Sequence, residues 1–476
     1  MVILVPKFKI NLHSIKVIAT SILWFIAILT FLKFLNFISI STLLFLILSY
    51  VIIDIFNKET SILFHLPFIT LLSPIFGRIA VFNLLLSDYF VLVLFFYIIT
   101  RGYNKLRIIK FNKTALFIFF ALLISVILNL TFENLVTFKP AASIIQIVII
   151  CVCTKILTSN IEELNYILFY WLISIILVSV LMLGSFYQGI NLNDVDLDLS
   201  IDINEYKNTI SENVYRISYF YSNIAFALGS GVFIALMLIN NANNSLQKIF
   251  FTISFLFLLL VLFLSGMKTS IFLILIIISI FSFQNKIVNN LKYILLIIIG
   301  YLLFSIFVLN DITRTLFYER FTSGTSFYIR FGVYKNALIH FIKYPFNWLF
   351  GLGPEFLSAS GNKSKSTLFF INSTTGLEEG TVDSTYVSIL IEYGILVFVL
   401  IINYLISLIY VIIKLSKKLK KYKYFKEFVS LSSIILLFSF GGFTQVIGLS
   451  KISWLFFQCL VLFDIHYNKT ILKNIS

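Results

Sequence analysis

The sequence predicts an all-α, polytopic integral membrane protein. Three observations carry that expectation: the composition, the recurrence of apolar runs of spanning length, and the confinement of positive charge to short loops. The chain of 476 residues is 60% hydrophobic and only 12% charged, with 54 phenylalanines and a mean hydropathy of +1.01. A soluble protein of this composition has too little polar surface to cover its apolar side chains. In a bilayer each span must satisfy its own backbone hydrogen bonds, and a helix does so.

Apolar runs predict spans near 15–32, 36–55, 62–76, 79–99, 115–131, 141–157, 164–184, 219–240, 249–266, 270–284, 293–309, 385–413, 428–446 and 452–465, about 14 transmembrane helices within a range of 12–14. They make residues 1–476 a single integral membrane domain. The third run is short and carries Pro67 and Pro74, which mark a kinked or re-entrant segment.

Two loops set the orientation. "TRGYNKLRIIKFNK" (Thr100–Lys113) and "KLSKKLKKYKYFK" (Lys414–Lys426) are short and strongly basic, which assigns them to the cytoplasm. The basic amino-terminal "PKFKINLHSIK" and the closing "NKTILKNIS" place both termini on the same side, consistent with an even number of spans. No small-residue cleavage site follows the first span. The net charge of +15 belongs to this loop pattern, so nucleic acid is not an expected partner; membrane lipid is.

Two long segments then fall outside. Residues 185–215 form an acidic loop containing Asp194, Asp196, Asp198 and Asp202. Its spacing lacks the central glycine and terminal bidentate glutamate of a calcium loop, so it reads as a solvated loop. Residues 310–384 form a larger external loop, and long external loops tend to carry function. No metal site and no cofactor are expected. Cys151, Cys153 and Cys459 fall within spans, with no His/Asp/Glu cluster beside them, and read as small buried apolar residues. Asp54, Asp88 and Asp464 lie near span ends or in the short fourth span. Carriers coupled to protons or sodium keep such groups at the midplane and use paired broken spans, so the pattern argues against one.

Within the large loop, "RFGVYKNALIHFIKYPFNWLFGLG" opens at Arg330. Helical spacing puts Phe331, Tyr334, Leu338, Phe341 and Ile342 on one stripe, with Asn336, His340 and Lys343 opposite, which predicts an interfacial helix ended by Pro345 and Gly351-Leu352-Gly353. Arg330 in its first turn joins the free N–H groups there as an anion site. Three more features point to the same face. Arg216 in "ENVYRISYFYSN" precedes the eighth span, and Lys268 in "LSGMKTSI" occupies a tight turn between spans. "VDSTYVSILIEYGI" places Asp383, Ser384 and Tyr386 at re-entry into the membrane, with Glu392 and Gly394 further in. Singly, a cation at an interface snorkels, a histidine there is solvated, and Asp383 caps a helix. Together, three cations and a carboxylate border one outer face.

These segments resemble, in order and loop placement, the O-antigen polymerase and O-antigen ligase superfamily of bacterial inner membranes. The likeness covers residues 215–400 by motif. It lies in Arg216 ahead of Asn223, in the "LSGMKTS" turn with Lys268 where an arginine recurs, in the Arg330 element ending at Gly-Leu-Gly, and in "VDSTYVSILIEYGI". Asp383-Ser384 stands where a ligase-like His-Asn pair is usual, which tilts the likeness toward a polymerase. The resemblance implies a GT-C-like fold and a metal-independent, inverting glycosyltransferase at the periplasmic face. Its donor and acceptor would be undecaprenyl-diphosphate-linked oligosaccharides, with a chain-length regulator as a protein partner. In that frame Arg216, Lys268 and Arg330 hold diphosphate, Tyr386 contacts substrate, and Asp383, with His340 second, takes the acceptor proton. Two alternatives stand beside it: a ligase using the same donor, and a lipid-linked oligosaccharide flippase or other transporter.

Overall fold

A computed structural model describes residues 12–32, 40–57, 61–76, 78–79, 84–102, 113–128, 138–158, 161–188, 224–242, 244–265, 268–285, 335, 338–339, 341–342, 348–351, 370–371, 378–379, 385–418, 425–442 and 451–470. The long apolar runs form helices there: α1 (Leu12–Phe31), α2 (Ile40–Asn57), α3 (Ser61–Leu72), α4 (Leu86–Tyr97), α5 (Lys113–Leu128), α6 (Phe138–Leu157), α7 (Ile161–Tyr187), α8 (Ile224–Asn241), α9 (Ser245–Leu264), α10 (Lys268–Asn285), α11 (Thr385–Lys418), α12 (Phe425–Gly441) and α13 (Ser453–Thr470). Four described helices, α7, α8, α9 and α11, are long and apolar enough to cross a membrane, and shorter apolar helices accompany them. The run expected at 293–309 lies outside the described residues.

Two short ladders interrupt the helices. β1 (Arg78–Ile79) pairs antiparallel with β2 (Leu84–Leu85), and β3 (Phe370–Ile371) with β4 (Glu378–Glu379). The first corrects the expected span 79–99. The helix starts only at Leu86, because the Asp88 carboxylate accepts from the Leu85 N–H at 3.1 Å and caps the new helix. The short third run is the wholly buried α3, with Pro67 inside it, followed by a 3₁₀ turn at Ser73–Phe76 that carries Pro74.

The main core joins α1–α4, α6–α10, α12 and α13 around Trp24, Trp171, Phe226, Phe428 and Trp454, all nearly inaccessible. Outside it, apolar side chains such as Phe45, Phe96, Phe117 and Phe120 are exposed, as lipid-facing positions are in a bilayer. Small residues let the central helices approach. A Cβ added at Gly229 would meet only the side-chain ends of Leu437 and Ile274, and one at Gly231 those of Leu258 and Ile175.

A second, smaller cluster stands apart: Ala121, Val126, Ile144, Tyr393 and Val397, from α5, α6 and the stretch of α11 around residue 394. The far end of α11 returns to the main core through Ile412 and Leu415.

Three aspartates on these helices are ion-paired: Asp54 is buried, Asp88 half-buried, and the Asp464 side chain 41% exposed. Asp54 on α2 pairs with Lys16 on α1 and lies 3.0 Å from His65 Nε2 on α3. Asp88 on α4 pairs with Lys451, just before α13; Lys451 also donates to Gln146 of α6 at 2.9 Å and stacks over Trp454 at 4.4 Å. Asp464 on α13 pairs with Lys155 on α6 at 2.8 Å. Cys151, Cys153 and Cys459 are free thiols within helices, the last two buried.

Candidate active site

Antiparallel packing gathers several predicted site elements at one end of the bundle, the end that the basic loops predict to face outward. The Phe226 ring on α8 lies 5.7 Å from that of Phe438 on α12, while further along Ser430 of α12 donates to the Phe233 carbonyl of α8. The start of α8 therefore lies beside the end of α12. Gly229, Leu437 and Ile274 meet at one level, which brings the beginning of α10, and Lys268 with it, to the same end.

The end of α12 also receives the start of α11. The Thr385 N–H donates to the Gly442 carbonyl at 2.9 Å, and the Tyr386 hydroxyl donates to the Ser439 carbonyl at 2.5 Å. Tyr386 is buried, with its ring against Gly442, where an added Cβ would lie 3.0 Å from the ring. Asp383 stands two positions before Thr385 and three before Tyr386 in the sequence.

The helix that begins there does not run straight. At Gly394 the backbone has φ 85° and ψ 173°, a left-handed value that breaks α11 into a short upper helix, Thr385–Tyr393, and a long lower one, Ile395–Lys418. At about 1.5 Å per residue the lower helix is about 36 Å long, enough to span a bilayer by itself. Burial changes at the break: Ile391, Glu392 and Tyr393 are buried, whereas Ile395 and Leu396 are exposed. The expected single span 385–413 is thus two helices, and the reason is the glycine in the middle of an otherwise continuous apolar run.

Into the break fits the turn that ends the Arg330 element. The Ile395 N–H, which the broken helix leaves without its own carbonyl, donates to the Trp348 carbonyl at 2.7 Å. The Phe350 carbonyl accepts from the Ser125 hydroxyl of α5. Trp348 Nε1 donates back to the Phe341 carbonyl at 3.1 Å. Gly351 has φ 80°, and a Cβ there would lie 2.2 Å from the Glu392 carbonyl oxygen; a Cβ on Gly394 would lie 2.3 Å from the Leu349 carbonyl oxygen. The glycines of two separate sequence elements meet main chain to main chain.

Of the predicted site residues, Tyr386 is described in full and Lys268 by its backbone, as the first residue of α10. Arg216, Arg330, His340 and Asp383 lie outside the described residues. In the Arg330 element, residues 335, 338–339 and 341–342 are helical, with Phe341 buried and Leu338, Ile339 and Ile342 exposed. Residues not singled out in the sequence also shape this end. Ser439 and Gly442 receive α11, and the "GG" at Gly441-Gly442 was the available sign of a close approach. Ser270, in the first turn after Lys268, is fully buried, and its hydroxyl has no hydrogen-bond partner among the described residues.

Residues 253–402 match a family model described as O-antigen ligase. The match begins in α9 and ends just below the break in α11, so it contains Lys268, Arg330, His340, Asp383, Tyr386 and both contacting glycines, and leaves Arg216 outside. It supports the superfamily that joins O-antigen polymerases and ligases, without separating the two, and with the apolar helices it supports an integral membrane protein of O-antigen-type glycan assembly. The chain matches no curated protein.

Proposed function

We propose that the protein is an O-antigen-type polymerase: it transfers a polyprenyl-diphosphate-linked glycan onto a lipid-linked repeat unit at the outer face of the bacterial inner membrane. The observation that carries the reading is the convergence of matched elements at one end of the bundle. The Lys268 turn, the anchored start of α11 behind Asp383, and the turn closing the Arg330 element belong to the same matched stretch. The reading keeps about 14 spans in a GT-C-like arrangement, with both termini cytoplasmic.

In this reading the bond between the donor's anomeric carbon and the diphosphate oxygen breaks, and its electron pair leaves with the diphosphate. The acceptor hydroxyl oxygen forms the new glycosidic bond from the opposite face, which inverts the linkage. Arg216, Lys268 and Arg330 stabilise the charge that gathers on the leaving diphosphate. Asp383 accepts the acceptor proton, with His340 as the second candidate. Tyr386, bonded to the Ser439 carbonyl, anchors the helix that follows Asp383 in sequence.

A ligase, which uses the same donor and a different acceptor, is the second reading, favoured by the description of the matching family. Deletion separates the two. Loss of a polymerase leaves single lipid-linked units, whereas loss of a ligase leaves lipid-linked polymer that never reaches its final acceptor. Arg330→Ala, at normal protein abundance, is expected to lower transfer by about 100-fold or more and leave single repeat units on a gel of lipid-linked intermediates. An unaltered polymer ladder in that variant removes Arg330 from the site.

A further inference from the structure

We propose that Gly351 and Gly394 form a positioning joint, through which the turn at 348–351 sets the pitch of the short helix Thr385–Tyr393, the helix that begins two residues after the proposed base in sequence. This inference rests on the transferase reading above and assigns a role that the resemblance does not supply.

The short helix is held at both ends by main-chain groups of other elements. At its start the Gly442 and Ser439 carbonyls take the Thr385 N–H and the Tyr386 hydroxyl. At its end the Glu392 carbonyl rests against Gly351, and Gly394 rests against the Leu349 carbonyl and the Gly351 nitrogen. Contacts of this kind tolerate no Cβ. At Gly351 an added carbon would meet backbone atoms at 2.2, 2.3 and 2.5 Å, and at Gly394 at 2.3, 2.5 and 2.6 Å. Backbone cannot step aside as a flexible side chain does, and both glycines also hold left-handed φ values that side-chain-bearing residues rarely adopt.

Other close glycines of the molecule are built differently. The atoms nearest to a Cβ on Gly184 all belong to the Leu32 side chain. The joint therefore fixes one peptide segment against another, with no side chain between them to absorb a shift. A tilt of the short helix about its anchored start would move the joint end across the break, and the docked turn blocks that tilt. Geometry of this sort acts on turnover, since misplacing a reacting group by about 1 Å costs about 100-fold in rate.

The test uses the full-length protein, purified in detergent, with lipid-linked repeat units extracted from the deletion strain as substrate. In the wild type, hydrogen–deuterium exchange at Ile395 is expected to be slow, because its N–H is bonded to Trp348. Gly351→Ala and Gly394→Ala are expected to speed that exchange and to lower kcat about 10- to 100-fold, with donor KM within about twofold. Gly184→Ala is expected to leave all three unchanged. Ser125→Ala, which removes one hydrogen bond from the turn and adds no Cβ clash, serves where a glycine variant fails to accumulate; a fall in kcat at constant KM is expected there too. Faster exchange at Ile395 with unchanged kcat overturns the joint and leaves the transferase reading standing. An equal fall in kcat for Gly184→Ala also overturns it. Wild-type protein that forms no glycosidic bond sinks the transferase reading and this inference with it.

Discussion

The main bundle and the α5–α11 unit are built on different contacts, and the difference separates what keeps the protein folded from what shapes its site. The main bundle interdigitates side chains: Trp24 stacks near Phe68, Phe64 on Tyr170, and Phe428 against Phe463. Its glycines face side chains of neighbouring helices, such as Leu437 and Ile274 at Gly229 and the Phe226 ring at Gly441, and Asp54 and Asp88 are paired with lysines of other segments. The α5–α11 unit has a five-residue core and is closed by backbone contacts at Gly351 and Gly394. Packing by side chains deforms gradually and supplies most of the stability; contact between peptide groups contributes less burial but fixes geometry sharply.

This contrast can be broken or sharpened by substitution. The largest stability effect is expected in the bundle. Asp54→Ala leaves Lys16 and the buried His65 without their carboxylate and is expected to cost about 3–5 kcal/mol, seen as a lower midpoint of thermal unfolding in detergent, while turnover per folded molecule stays as in the wild type. A loss of turnover at full stability there would erase the division between the two regions. Gly229→Ala is expected to cost about 1–3 kcal/mol, because the Leu437 and Ile274 side chains must shift; retained activity alongside a fall in the unfolding midpoint is the predicted pattern. The smallest stability change is expected at the site. Tyr386→Phe removes the bond to the Ser439 carbonyl at a cost of about 1 kcal/mol, yet it loosens the start of the short helix, so turnover is expected to fall more than that modest destabilisation suggests. An unchanged rate would assign the hydroxyl to packing alone.

The helices were legible because a bilayer leaves the backbone few choices. Apolar runs of spanning length had to become helices, and the runs at 164–184 and 249–266 did so as α7 and α9. Less was legible where a local signal competed with the run. The aspartate that caps α4 and the hairpin before it were hidden inside an apolar stretch, and Gly394 was one small residue among Ile, Leu and Val. Ion-pair partners were not readable at all, since Asp54, Asp88 and Asp464 find theirs 38, 363 and 309 residues away, through helix neighbours that hydropathy does not specify. At the site, the sequence marked the Gly-Leu-Gly turn and "EYGI" as separate elements. Their contact depends on how the long loop returns to α11, which no spacing within either element encodes.

The pairing of Asp88 with Lys451 has a consequence in time. A membrane protein is delivered to the bilayer from its amino terminus, so α4 arrives with a carboxylate whose lysine has yet to be synthesised, 363 residues later. Until then Asp88 must be sheltered by Gln146, which reaches the same oxygen at 2.8 Å, or by the insertion machinery. A chain that ends before Lys451 therefore leaves the half-buried Asp88 carboxylate with Gln146 and without its lysine.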